Sequence, residues 1–125
     1  MPRKQSITLT EAELRLMNIL WQKGPATVHQ IQKALDGTEL AYNSVLTTIR
    51  ILEKKGYVKH VKDGRAHVYE PTVGQREATR FEIRNLVSRF FRDSHEALVL
   101  NILEDESLDA AELRRLEEMI ARRQK

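Results

Sequence analysis

The stretch at residues 40–70, LAYNSVLTTIRILEKKGYVKHVKDGRAHVYE, constrains the fold more than any other part of the chain. In its first half Val45, Ile49 and Leu52 recur at i, i+4 and i+7, the spacing of one apolar helical stripe. At about 100° per residue, Asn43, Thr47, Arg50 and Lys54 fall on the opposite face. Gly56 stops the helix. Two partly alternating runs follow, at 57–62 and 65–70, joined by Asp63-Gly64, a pair that favours a two-residue hairpin because both turn positions want positive φ. Lys62 and Arg65 flank the tip and cannot both be neutralised by Asp63. A polar-faced helix followed by a cation-tipped hairpin is the pattern of a winged helix-turn-helix. There the helix enters the major groove and the wing holds phosphates.

The elements before it fit that order. Thr10 and Glu13 have capping-box spacing, and Leu14, Met17, Ile19, Leu20 and Trp21 supply a broad apolar face ending at Lys23-Gly24-Pro25. Trp21 reads as a core anchor. A second box, Thr27 with Gln30, opens a helix of roughly ten residues through Val28, Ile31, Ala34 and Leu35 to Asp36-Gly37. A short positioning helix, a turn and a longer helix at 41–55 make the helix-turn-helix. Ala41 is a poor N-cap, so the propensity leaves the start of that third helix loosely defined.

Charge is uneven. Residues 1–72 carry 11 Lys/Arg against 7 Asp/Glu, whereas residues 73–125 carry 10 against 11. Six cations and two anions lie within 50–65. Such a run alone is usually a solvated face. Its coincidence with a groove-sized helix and a hairpin tip favours nucleic-acid binding.

Residues 71–74 mark the expected boundary between a winged domain at 1–72 and a helical arm at 73–125. Three helices are expected in the arm, at about 75–92, at 94–104 and from Asp109. Asp109 caps the last, Glu112 closes its box, and Leu108 with Leu113 forms a hydrophobic staple. Some 50 residues of short helices cannot bury a self-sufficient core. Phe81, Phe90, Leu98, Leu100, Leu103, Leu113, Leu116 and Ile120 are therefore expected to be buried by a second copy, giving a homodimer that presents two recognition helices to a two-fold symmetric site. The alternative is a helical cap folded over the winged domain of the same chain. The fold class is mainly α with a small β-hairpin wing.

Composition excludes several functions. The chain is 41% hydrophobic and 31% charged, typical of an ordered soluble domain, and no apolar run approaches the roughly 18 residues of a membrane span. The opening MPRKQSITLT lacks the apolar segment of a secretory signal. Zero cysteines remove disulfides and thiolate chemistry, and a cytoplasmic location is expected. There is no nucleophile elbow, P-loop, dinucleotide fingerprint or H-E-x-x-H, so no enzyme, cofactor or metal site is expected. His60 and His67 would face each other across a hairpin turning at Asp63-Gly64, but two imidazoles do not make a structural zinc site. His29 and His95 lie near helix starts, where exposure is expected. A histidine metal sensor is the weaker reading.

Taken together, LTEAELRLMNILWQKGPATVHQIQKAL, AYNSVLTTIRILEKKGYV, KDGRAHVYEP and SLDAAELRRLEEMI resemble the penicillinase repressors of the BlaI/MecI type over nearly the whole chain. The resemblance implies a dimeric transcriptional repressor of a dyad operator with TACA/TGTA half-sites. It also implies an off-switch, in which a membrane sensor–metallopeptidase responding to β-lactam leads to cleavage of the repressor. In the staphylococcal members that the resemblance brings in, the cut falls just after an Asn in the middle C-terminal helix. The matching position is Asn101, followed by Ile102 where those proteins have Phe. By its position alone, Asn101 reads equally well as a polar residue fixing dimer register on an apolar helix. Copper-responsive relatives use paired cysteines, absent here.

The expected interface comprises Tyr42, Asn43, Ser44, Thr47, Arg50, Lys54, Lys62 and Arg65. Asn43 suits adenine, Arg50 guanine or phosphate, and the remaining cations phosphate. Tyr42 reads either as a sugar or phosphate contact or as a residue packed on the domain. The competing reading from another class is a winged helix whose hairpin docks an acidic protein partner. Within the repressor class, the competitor is an orphan regulator without proteolytic control.

Overall fold

The computed structural model describes residues 8–35 and 41–123. Its elements are α1 (Glu11–Lys23), α2 (Val28–Ala34), α3 (Tyr42–Lys55), β1 (Val58–Asp63), β2 (Ala66–Pro71), α4 (Gln75–Phe91), α5 (His95–Leu103) and α6 (Ala110–Arg123). Packing divides the chain into two units, Met1–Ile83 and Arg84–Lys125. The division falls inside α4, so the first half of that helix packs with the winged unit. The sequence had suggested residues 71–74, where strand gives way to helix.

Both capping boxes form in full. Thr10 Oγ1 accepts from the Glu13 amide at 3.2 Å while Glu13 Oε1 accepts from the Thr10 amide at 2.9 Å. Thr27 and Gln30 repeat the exchange at 3.2 and 2.8 Å. Each exchange satisfies two amides that a helix start otherwise leaves without partners. α1 buries Glu13, Leu16, Met17 and Leu20, a regular i, i+3, i+4, i+7 stripe. Leu14, expected in this face, is 41% exposed, and Leu16 takes the core position. Trp21 is half-buried against the core, its indole N–H donating to the Val73 carbonyl at 2.9 Å. α2 spans seven residues, and Leu35 caps it. The Asp36-Gly37 end expected for it lies outside the described residues.

α3 buries Val45, Ile49 and Leu52 completely. At roughly 1.5–3 kcal/mol per large aliphatic side chain, that stripe alone anchors the helix. Its end is a Schellman turn: Gly56, at φ +87°, donates to Glu53 O at 3.0 Å, and Tyr57 donates to Leu52 O at 2.9 Å. The hairpin pairs Asp63 with Ala66, so its central residues are Gly64-Arg65, one position later than Asp63-Gly64. Gly64 alone has positive φ (+67°), and Arg65 does not. A turn with its glycine first needs a left-handed residue at that position only. Pairing therefore runs His60 to Tyr69 and Lys62 to His67. Each residue keeps its predicted face, because both strands move by one.

Ala26 adds a bridge to the hairpin, exchanging hydrogen bonds with Tyr69 at 2.9 and 2.8 Å. The α1–α2 connection thereby becomes a third, minimal strand. Leu16, Ile31, Val45, Ile49, Tyr57 and Tyr69 centre one core, with Ala78 of α4 closing it. The unit is a winged helix-turn-helix. Among the described residues, no helix is long and apolar enough to cross a membrane.

In the second unit Ser94 Oγ caps α5 by accepting from Ala97 N at 3.0 Å, and Asp109 Oδ1 accepts from Glu112 N at 2.8 Å to open α6. Between α4 and α5, Arg92 and Asp93 both take positive φ, +49° and +66°. Only Val87 of this unit is buried among the described residues, and α5 and α6 bury none.

Candidate nucleic-acid interface

The buried stripe of α3 dictates its outer face. With Val45, Ile49 and Leu52 inward, Asn43, Ser44, Thr47, Arg50 and Lys54 are all exposed. They form a strip along the helix, with hydrogen-bonding side chains in the first two turns and cations in the last two. Thr48 Oγ1 returns a hydrogen bond to Ser44 O at 2.9 Å. No side chain caps the start of α3 at Ala41.

Tyr42 is 39% exposed, with its ring 4.8 Å from that of His29 at a 46° tilt. It packs on the start of α2 while keeping an open edge. Arg50 lies near the phenol of Tyr69, a residue only 2% exposed. Burial raises the pKa of that phenol and Glu53 adds to the effect, while the nearby charge of Arg50 opposes them.

Arg50, Arg65, Tyr42, His29 and His67 share the lining of one cleft of about 410 Å³ between the wing and the two helices. A shallower concavity on the outer face of α3 gathers Thr47, Arg50, Ile51, Glu53 and Lys54. Arg50 belongs to both. Lys62 stands on β1, paired across the ladder with His67. Arg65 occupies the turn itself. Among the described residues no carboxylate forms an ion pair with Lys54, Lys62 or Arg65.

The other cations of the helix–hairpin segment have partners. Lys55 turns back to Glu13 at 2.7 Å and to Thr8 O at 3.1 Å, and Lys59 meets Glu70 at 3.4 Å. Sequence reasoning did not find the brace holding the wing to α3: His60 Nδ1 lies 2.7 Å from Glu53 Oε2. His60 also stacks on His67, centroids 4.4 Å apart and planes 17° apart. The two histidines do meet, as expected, but diagonally rather than as a cross-strand pair. His29 was likewise missed as a cleft residue, since nothing local in the sequence signals that α2 borders the wing.

The second unit carries the other expected site residues. Phe90 is 63% exposed, Leu100 54%, Leu103 42% and Ile120 50%, while Leu98, Leu113 and Leu116 are half-buried. Phe81 is half-buried and falls in the winged unit's half of α4. Asn101 and Ile102 sit on α5, both exposed. So large a share of apolar surface is unusual for a lone soluble unit.

Comparison with known proteins agrees with this architecture. The family model described as "Penicillinase repressor" matches residues 9–122. The penicillinase repressor of Bacillus licheniformis is 26% identical over 113 residues, covering 90% of this chain and 88% of that one. The transcriptional regulator BlaI of Mycobacterium tuberculosis (strain ATCC 25618 / H37Rv) is 39% identical over 71 residues, 55% of this chain and 51% of its own. The solution structure of the DNA-binding domain of the repressor BlaI superposes with a TM-score of 0.52 at 28% identity, covering 60% of this chain and 93% of that one. With its fold, its exposed α3 face and a family match over nearly its full length, the chain belongs to the penicillinase repressor family.

Proposed function

We propose that the protein is a sequence-specific DNA-binding repressor of transcription, acting in the cytoplasm as a homodimer on a two-fold symmetric operator. Its family is one of transcriptional repressors, not enzymes. The observation that carries the reading is the strip on α3 together with the wing tip. Polar readers share one exposed surface there with cations that form no ion pair among the described residues, while the same helix is locked to the core from behind.

In this reading α3 lies in the major groove. Asn43, Ser44 and Thr47 meet base edges, with Asn43 suited to the N6/N7 edge of adenine. Arg50 meets guanine or phosphate, and Tyr42 contacts the sugar-phosphate edge. Lys54, Lys62 and Arg65 hold phosphates. The exposed apolar residues of α4, α5 and α6 support dimerisation, because a second copy offers the same unburied faces. Two copies place two recognition helices on opposite arms of a dyad, and the resemblance supports TACA/TGTA arms. Bound there, the dimer blocks access to the promoter.

Relief by proteolysis between Asn101 and Ile102 is the regulatory part of the proposal, through a membrane sensor–metallopeptidase responding to β-lactam. It is supported by the exposure of both residues on a short helix that buries nothing. Cutting there would separate α6 from the rest of the arm and so weaken the dimer.

The test is a salt titration of binding to a labelled duplex with TACA/TGTA arms and to a scrambled control. With roughly four phosphate contacts per copy, the dimer is expected to lose about 10⁴ in affinity between 50 and 200 mM salt, and to prefer the symmetric duplex throughout. Binding without salt dependence, or no binding to either duplex, would move the protein-docking reading ahead.

A further inference from the structure

Ile51 stands apart from the other large aliphatic residues of α3. Val45, Ile49 and Leu52 are fully buried, but Ile51 is 41% exposed. It is not at the edge of the core stripe. At about 100° per residue it lies between Ser44 and Thr47, some 20° from one and 40° from the other, towards one edge of the polar strip. It shares its concavity with Thr47, Arg50, Glu53 and Lys54, and Glu53 is drawn off towards His60. An exposed isoleucine beside Arg50 and Lys54 makes a poor protein contact, since the partner would have to desolvate both cations. It is well suited to a duplex, whose phosphates those cations attract.

The only apolar group on the major-groove floor of unmodified DNA is the C5-methyl of thymine. We infer that Ile51 is a specificity-determining residue that reads a thymine in each half-site by packing on its C5-methyl. This rests on the DNA-binding function proposed above and adds what that reading lacks, an apolar contact among polar ones. Thr47, one turn earlier on the same strip, lines the same concavity.

The test uses the full chain and the duplex that selection from a random pool enriches most. Each thymine is replaced in turn by deoxyuridine, which removes the methyl and leaves every hydrogen-bonding group. One thymine per arm is expected to show a loss of about fourfold, the scale of one buried methyl, or about 16-fold when both arms are changed. Ile51→Ala should bind the thymine duplex more weakly and be indifferent to deoxyuridine at that position. Ile51→Val should retain an intermediate response, and both variants should keep the wild-type circular dichroism. Wild-type indifference to every deoxyuridine, or unchanged sensitivity in Ile51→Ala, overturns the inference and leaves the repressor reading intact. A protein that enriches no duplex overturns both.

Discussion

Replacing Lys55 by Met strands a carboxylate. Glu13 has a side chain only 6% exposed, and its Oε1 accepts from Lys55 Nζ at 2.7 Å and from the Thr10 amide at 2.9 Å. Without the ammonium, one backbone amide alone faces a nearly buried negative charge. Breaking a buried pair from one side costs about 3–5 kcal/mol. The Lys55 side chain is 18% exposed, so water can reach the site, and a loss of about 2–3 kcal/mol is expected. Lys55→Met combined with Glu13→Gln removes the charge and keeps an N3 acceptor for Thr10, so the pair of changes should cost less than the single one, about 1 kcal/mol. Urea denaturation of wild type, both single variants and the double variant measures the coupling, expected at about 1.5 kcal/mol or more with m unchanged. Additive losses within about 0.5 kcal/mol would refute the reasoning. The pair would then be a surface contact, and the end of α3 would be held by its apolar stripe alone.

Other expectations follow from the same geometry. Leu100→Glu places a charge on an exposed apolar face of α5, and sedimentation equilibrium should show a monomer whose near-ultraviolet dichroism is unchanged. Arg65→Ala at the wing tip should weaken all duplexes alike and reduce the dimer's salt slope by about 1.8, one phosphate contact in each copy, whereas Thr47→Ala should cost about 1–3 kcal/mol on the operator and little on random DNA. Tyr57 is 2% exposed, and burial, then Glu82, Glu13 and Glu77, push its pKa from 10.0 up to about 12. A raised folded-state value leaves stability intact below pH 10 and removes it as pH rises from 10 towards 12, by up to about 2–3 kcal/mol. Alkaline denaturation should show this limb in wild type and lose it in Tyr57→Phe.

Local signals carried most of the fold. A capping box lies within four residues, so Thr10 with Glu13 and Thr27 with Gln30 were legible one helix at a time. The α3 stripe was legible for the same reason, and fixing its buried side fixed the exposed one. Where the sequence misled, the deciding partner was distant. Leu14 and Leu16 are equally apolar, and only the helices packed around α1 select Leu16 for the core. Asp63-Gly64 and Gly64-Arg65 both suit a two-residue turn, and the pairing of Asp63 with Ala66 selects the second. The Glu53–His60 brace joins a helix to a strand across Gly56, a contact that no periodicity encodes. Ile51 was overlooked because an aliphatic residue in a helix is usually assigned inward, although its angle on the wheel already put it with Thr47 and Lys54.

Binding selection of the purified chain on random duplexes, at near-physiological salt with sequencing of the bound pool, tests the central claim most directly. Enrichment of a two-fold symmetric site with TACA/TGTA arms is expected, spaced so that two α3 helices reach successive major grooves on one side of the duplex. An enriched half-site without symmetry, or no enrichment at all, would contradict a dimeric repressor reading a dyad.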